Sequence, residues 1–139
     1  MRFEDFIEQK SVKKASRDGM LAKSLLKSAE KDLHFLKSLE IDGDSARKIM
    51  SNYYDVLRSI LEAISALDGY KIYSHEAFTY FLKEKGEEMI SAKFDRFRRI
   101  RNKINYYGDD ISVNEVEENV KEIREVIKKL VDKYLGELK

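Results

Sequence analysis

Residues Ser112 to Tyr134 read SVNEVEENVKEIREVIKKLVDKY. Within them Val113, Val116, Val120, Ile123, Ile127, Leu130 and Tyr134 recur at alternating steps of three and four. That spacing holds the apolar side chains on one face of a helix of 3.6 residues per turn and leaves Glu and Lys on the other. Ser112 and Glu115 make the capping box that opens it. One amphipathic helix cannot cover its own apolar face, so the rest of the chain has to supply partners.

The same period recurs upstream. A helix from about Glu87 to Tyr107 ends at Gly108, and a shorter one begins near Ser74 and ends at Lys85-Gly86. Asp44 is placed to cap a third helix with Ile49, Tyr53, Val56, Ile60, Ile64 and Leu67 on one stripe; Met50, Tyr54, Leu57 and Leu61 widen it, and Asp68-Gly69 stops it. Asp18 caps a helix carrying Leu21, Leu25, Ala29, Leu33 and Leu36, broken by Ile41-Asp42-Gly43-Asp44. Phe3 to Gln9 forms a short leading helix with Phe3, Phe6 and Ile7 on one side, and the basic stretch Lys10 to Arg17 reads as a loop. No segment sustains a period of two. The expectation is one all-α domain over residues 1–139, an antiparallel four- to five-helix bundle preceded by a leading helix and loop over 1–17.

Composition agrees. Apolar residues are 42% of the 139, enough for a core, and the absence of Pro favours uninterrupted helices. Without Cys there is no disulfide, zinc ribbon, Fe–S cluster or thiol nucleophile. Two histidines, His34 and His75, leave little room for a His-rich metal site, and no cofactor or metal is expected. His34 among Leu33, Phe35 and Leu36 reads as a core or boundary residue, and His75 as part of a helix start. The 27 basic and 26 acidic residues nearly cancel, so nucleic-acid binding would need a local patch. A single Gln, Gln9, with many Lys and Glu is the composition of a thermophile. The acidic opening Met1 to Glu8 is no signal peptide and no apolar run is long enough to span a bilayer, so the expected location is cytoplasmic.

Chemistry concentrates on the fifth helix. Ile90, Phe94, Phe97 and Ile104 form an apolar stripe with Arg101 at its centre, and Asn105 lies about 40° away on the same face. A guanidinium aimed into an apolar stripe is costly unless it is paired or faces a wet cleft. Two readings follow: a structural Arg held by a core carboxylate, or a polar site lined by Arg101 and Asn105. Around it Lys93, Arg96, Arg98, Arg99, Arg101 and Lys103 face a single acid, Asp95, a local net charge of +5. Such a stripe either meets phosphates or is neutralised by the acidic run Asp109, Asp110, Glu115, Glu117 and Glu118. Tyr106 and Tyr107 add stacking surfaces suited to single-stranded RNA. Tyr53-Tyr54 reads as core or interface. No GxGxxG, P-loop, GxSxG or HExxH is present.

Arg101-Asn102-Lys103-Ile104-Asn105-Tyr106-Tyr107-Gly108 resembles the HEPN family of small all-α proteins. Tyr53-Tyr54-Asp55-Val56-Leu57-Arg58 and Leu67-Asp68-Gly69-Tyr70-Lys71-Ile72-Tyr73-Ser74-His75-Glu76 extend the resemblance over most of residues 45–110. It looks closest to compact archaeal members. The resemblance implies a bundle that dimerises. Many members are ribonucleases whose motif is an Arg, often followed by a polar residue, separated from a His by four to six residues. Here Arg101 and Asn102 match its start, while Tyr106, Tyr107 and Gly108 stand where the His would be. Many relatives are encoded beside a minimal nucleotidyltransferase in toxin–antitoxin pairs, which implies such a partner.

Three functions are therefore carried forward. The first is a non-catalytic module that binds RNA or nucleotide through Arg98, Arg99, Lys103, Asn105 and Tyr107, or pairs with a partner protein. The second is a metal-independent endoribonuclease using Arg101, Asn102 and Tyr106, with the substrate 2′-OH as nucleophile. The third is a structural oligomer. The third helix carries more apolar surface than one small core needs, so a symmetric homodimer with the fifth helices near each other is expected. The chain should not engage a membrane.

Overall fold

In the computed structural model, which describes residues 1–108 and 110–139, the chain runs α1 (Phe3–Glu8), β1 (Val12–Lys14), α2 (Gly19–Lys37), α3 (Ala46–Asp68), β2 (Tyr70–Ile72), α4 (His75–Glu84), α5 (Glu88–Tyr107) and α6 (Val113–Tyr134), with a closing 3-10 turn at Gly136–Leu138. The fold is an all-α bundle with one small antiparallel ladder, as the helical period requires. Among the described residues no helix is long and apolar enough to cross a membrane.

Helix α3 is the axis. It packs against α2, α5, α6 and β2, and Ile49, Met50, Tyr53, Tyr54, Val56, Leu57, Ile60, Leu61 and Ile64 are all buried. Each fully buried aliphatic or aromatic side chain contributes roughly 1.5–3 kcal/mol, so this one helix organises most of the core. Its two-sided apolar surface is covered within the single chain, by α2 on one flank and α6 on another. The surplus that led us to expect a dimer is thus absorbed internally. α6 buries Val116, Val120, Ile123, Ile127 and Leu130 along its stripe, with Val113 and Tyr134 partly buried at the ends.

Local stop and start signals fall where the side chains predict. Asp18 accepts from Leu21 N at 2.9 Å, Ser74 from Ala77 N at 3.4 Å and Ser112 from Glu115 N at 3.2 Å. Gly69 and Gly108 take left-handed φ values of 84° and 66° at the ends of α3 and α5.

Four expectations are corrected. Asp44 does not cap α3; Ser45 holds that position, and Asp42 accepts the Asp44 and Ser45 amides in a turn, both at 2.9 Å. In α2 Ala29 and Leu36 are buried as expected and Leu25 and Leu33 partly so, but Ala22 and Leu26 complete the buried line and Leu21 is exposed, because contact with α3 widens the stripe to the Ala22–Leu26 side. His34 is exposed, outside that stripe. The Lys10–Arg17 stretch is not simply a loop: Val12, Lys13 and Lys14 pair with Ile72, Lys71 and Tyr70. Three residues are too few for a two-residue period to register, and Val12 is the single buried side chain of β1. The pairing extends at both ends, with Tyr73 N donating to Ser11 O and Ala15 N to Gly69 O, each at 2.8 Å. A Cβ at Gly69 would stand 3.0 Å from Ala15 O, so this position needs glycine for space as well as for φ.

Candidate functional site

The aromatic residues of α5 lock it against α3. Phe94 stacks on Tyr54 with ring centres 5.5 Å apart, and Phe78 of α4 meets Phe94 edge-on at 6.2 Å. Two turns beyond Phe94 on the same face, Arg101 is pressed towards α3 with its side chain 18% exposed. Its guanidinium carbon sits 5.6 Å from the centre of the Tyr54 ring, within cation–π range. Among the described residues its nearest carboxylate is Asp55, at 3.8 Å, too long for a hydrogen bond. Arg101 Nε is buried and has no hydrogen-bond acceptor among them.

One turn after Tyr54, Arg58 repeats this situation. It pairs with Glu62 along α3, yet its own Nε is buried without an acceptor. Arg98, mostly buried, donates to Asp95 Oδ1 through Nε at 3.3 Å and Nη2 at 2.9 Å. Arg99 holds the other oxygen of Asp95 at 2.9 Å. Burial alone would raise the Asp95 pKa, but the hydrogen bonds and charge of Arg98, with Arg99 behind them, hold it below the ordinary carboxylate value.

His75 completes the cluster. As the first residue of α4 it places Nδ1 3.0 Å from the Tyr54 hydroxyl. Burial lowers its pKa first, and Arg58 and Arg101 lower it further against a smaller opposing effect of Asp55. The imidazole is therefore neutral at pH 7. Burial also drives the Tyr54 phenol well above its ordinary value, with the arginines only partly offsetting this. Tyr54 keeps its proton, and the pair has one hydrogen to share.

The site thus gathers Arg58, Arg98 and Arg101 around one buried phenol and one neutral imidazole. With Arg99, four guanidiniums face Asp55, Glu62 and Asp95, a local net charge of +1. A buried donor without an acceptor costs about 1–3 kcal/mol, and neither Nε finds an acceptor among the described residues. Planar guanidinium donors match phosphate oxygens, and one phosphodiester carries the single negative charge that balances the cluster.

The residues singled out in the sequence divide. Arg101 and Arg98 belong to the cluster, and Arg99 lies at its outer edge. Asn102 is partly exposed beside Arg101, and Lys103 is exposed. Asn105 Oδ1 accepts from Ser51 Oγ at 3.1 Å, tying α5 to α3. Tyr106 and Tyr107 are 71% and 77% exposed at the tip of α5, beyond the cluster. The basic stripe is balanced chiefly by Asp95 and by Glu122, which pairs with Arg96. Asp110, Glu115, Glu117 and Glu118 make no ion pair with it among the described residues, and Asp109 lies outside them. Sequence reasoning missed Asp55, Arg58 and His75 as candidate-site residues and took Tyr54 for core or interface. The usable signal was a polar line, Asp55-Arg58-Glu62, running through an otherwise apolar helix.

No protein-family model, curated protein or solved structure matches the chain.

Proposed function

We propose that this chain is a HEPN-like RNA-binding module that grips a backbone phosphate with Arg58, Arg98 and Arg101 beside His75, and that it does not itself cleave. The observation that carries this reading is the pair of buried Nε donors, on Arg58 and Arg101, that find no acceptor among the described residues. Buried polar groups in native proteins are paired in the large majority of cases, so two such donors in one cluster call for a partner. The exposed tyrosines at the tip of α5 extend the grip to bases, since base–aromatic stacking tolerates any sequence. A homodimer, and a minimal nucleotidyltransferase as partner in a toxin–antitoxin pair, belong to the same proposal and rest on the family resemblance. The test is fluorescence anisotropy with a short single-stranded RNA. Wild type should bind and Arg101→Gln should lose most of that affinity while staying folded. RNA binding absent at low salt would remove the reading.

A second reading is favoured by one observation, the imidazole held beside the arginines by Tyr54. The HEPN-type motif lacks its His, yet His75 could take the 2′-OH proton as the 2′-oxygen bonds to phosphorus and the P–O5′ bond breaks, the departing 5′-oxygen taking a proton from water, while Arg101 steadies the charge building on the phosphate. Cleavage of generic RNA that persists in EDTA, yields 2′,3′-cyclic ends and is lost in His75→Gln would establish this ribonuclease over the binding module.

A further inference from the structure

Next to the arginines, the groove between α2 and α3 opens into a hollow of about 420 Å³, inside the ~300–1,000 Å³ range of small-molecule sites. Asp55 and Arg58 line it and are also members of the arginine cluster, so hollow and cluster adjoin at these two residues. Its other walls include Asp32 and Phe35 from α2 and Asn52 and Ser59 from α3. Phe35 is 61% exposed while its neighbour Leu36 is buried, so Leu36 does the packing there and Phe35 contributes an open aromatic face. Asp32 forms no ion pair among the described residues, and the exposed Asn52 makes no side-chain hydrogen bond among them. A free aromatic ring, a free carboxylate, a free amide and a guanidinium with an unmatched Nε therefore share one hollow of nucleotide size.

We propose that this hollow is the nucleoside pocket of the phosphate site and that it selects guanine. The proposal rests on the phosphate-binding reading above. The base stacks on Phe35, as bases do on exposed aromatics, and the phosphate lies on Arg58 and Arg101. Guanine presents N1–H and the exocyclic amino group as adjacent donors, which one carboxylate can accept together; Asp32 supplies it, and Asn52 can donate to O6. Adenine and the pyrimidines offer no such adjacent pair of donors.

The test is calorimetric binding of GMP, AMP, CMP, UMP and inorganic phosphate to the full chain and three variants. Wild type should prefer GMP over UMP by at least about tenfold, in keeping with the energies of stacking and edge recognition. Phe35→Ala, a surface change, should weaken GMP on the order of tenfold and leave inorganic phosphate unchanged. Asp32→Asn should erase the guanine preference, and Arg101→Gln should weaken every ligand. Phosphate binding with no gain from any base, or a Phe35→Ala variant that binds GMP like wild type, overturns the pocket and leaves the phosphate reading standing. If neither GMP nor inorganic phosphate binds, both fail.

Discussion

The hydroxyl of Tyr54 lies 3.0 Å from Nδ1 of His75, joining the middle of the central helix to the first residue of α4. Because the phenol keeps its proton, the state of the pair is set by the imidazole. Arg58, Arg98 and Arg101 disfavour a charge on His75, and Asp55 favours it.

A pH dependence follows. The folded-state pKa of His75 is depressed, so below pH ~6.5 the unfolded chain binds more protons than the folded one, and stability falls as pH drops through that window. Denaturant titrations from pH 7.5 to 5 should show this loss, and His75→Gln should reduce it. RNA binding should move the other way: a phosphodiester beside His75 favours the imidazolium, so affinity should rise as pH falls from 7 towards 5.5. A pH-independent affinity would place the RNA away from His75.

Replacing Arg101 tests whether it serves the fold. Among the described residues its one carboxylate neighbour is 3.8 Å away and its Nε is unmatched, so the Tyr54 ring is the main partner of this charge and an apolar side chain can replace that contact. Arg101→Met keeps the length of the side chain and removes the buried donor. Thermal unfolding should show a Tm unchanged or raised, a change within about 1 kcal/mol, together with lost phosphate binding. A loss of about 3 kcal/mol or more would instead mark a structural ion pair.

The two helix-ending glycines should respond unequally. Gly108→Ala meets open space and carries only the left-handed backbone cost of about 1–2 kcal/mol. Gly69→Ala carries that cost and also a 3.0 Å approach to a backbone carbonyl, so it should be the more destabilising of the two by thermal melt.

Salt titration separates the arginines. Log affinity for RNA should fall linearly with log salt. Arg99→Ala, on the exposed side of Asp95, should lower that slope by about 1 if Arg99 meets a phosphate. An unchanged slope would mean that Arg99 serves only to hold Asp95.

Much of the fold was legible because its determinants are local. The stripe of α6, the buried aromatics of α5 and the caps Asp18, Ser74, Ser112, Gly69 and Gly108 act within a turn or two of chain. The stripe of α2 was only partly legible because Leu21 and Leu25 offer as good an apolar line as Ala22 and Leu26, and only contact with α3 chooses between them. The site was half legible. Arg101 shows as a charge in an apolar stripe, whereas His75 joins it through Tyr54, 21 positions away, a pairing no helical period encodes.

The ladder between β1 and β2 also bears on the order of assembly. Val12 and Ile72 are partners about 60 positions apart, and closing so long a loop costs entropy before any contact repays it. The hairpins α2–α3 and α4–α5 join sequence neighbours and can form without it. The N-terminal arm therefore leaves the ribosome early but is placed late, once residue 72 has emerged. Ile72 and Tyr73 lead straight into Ser74 and His75, so the ladder borders the start of α4. In hydrogen exchange the amides of Ala15 and Tyr73 should open well before those of α3, leaving a nearly complete bundle with its N-terminal arm detached.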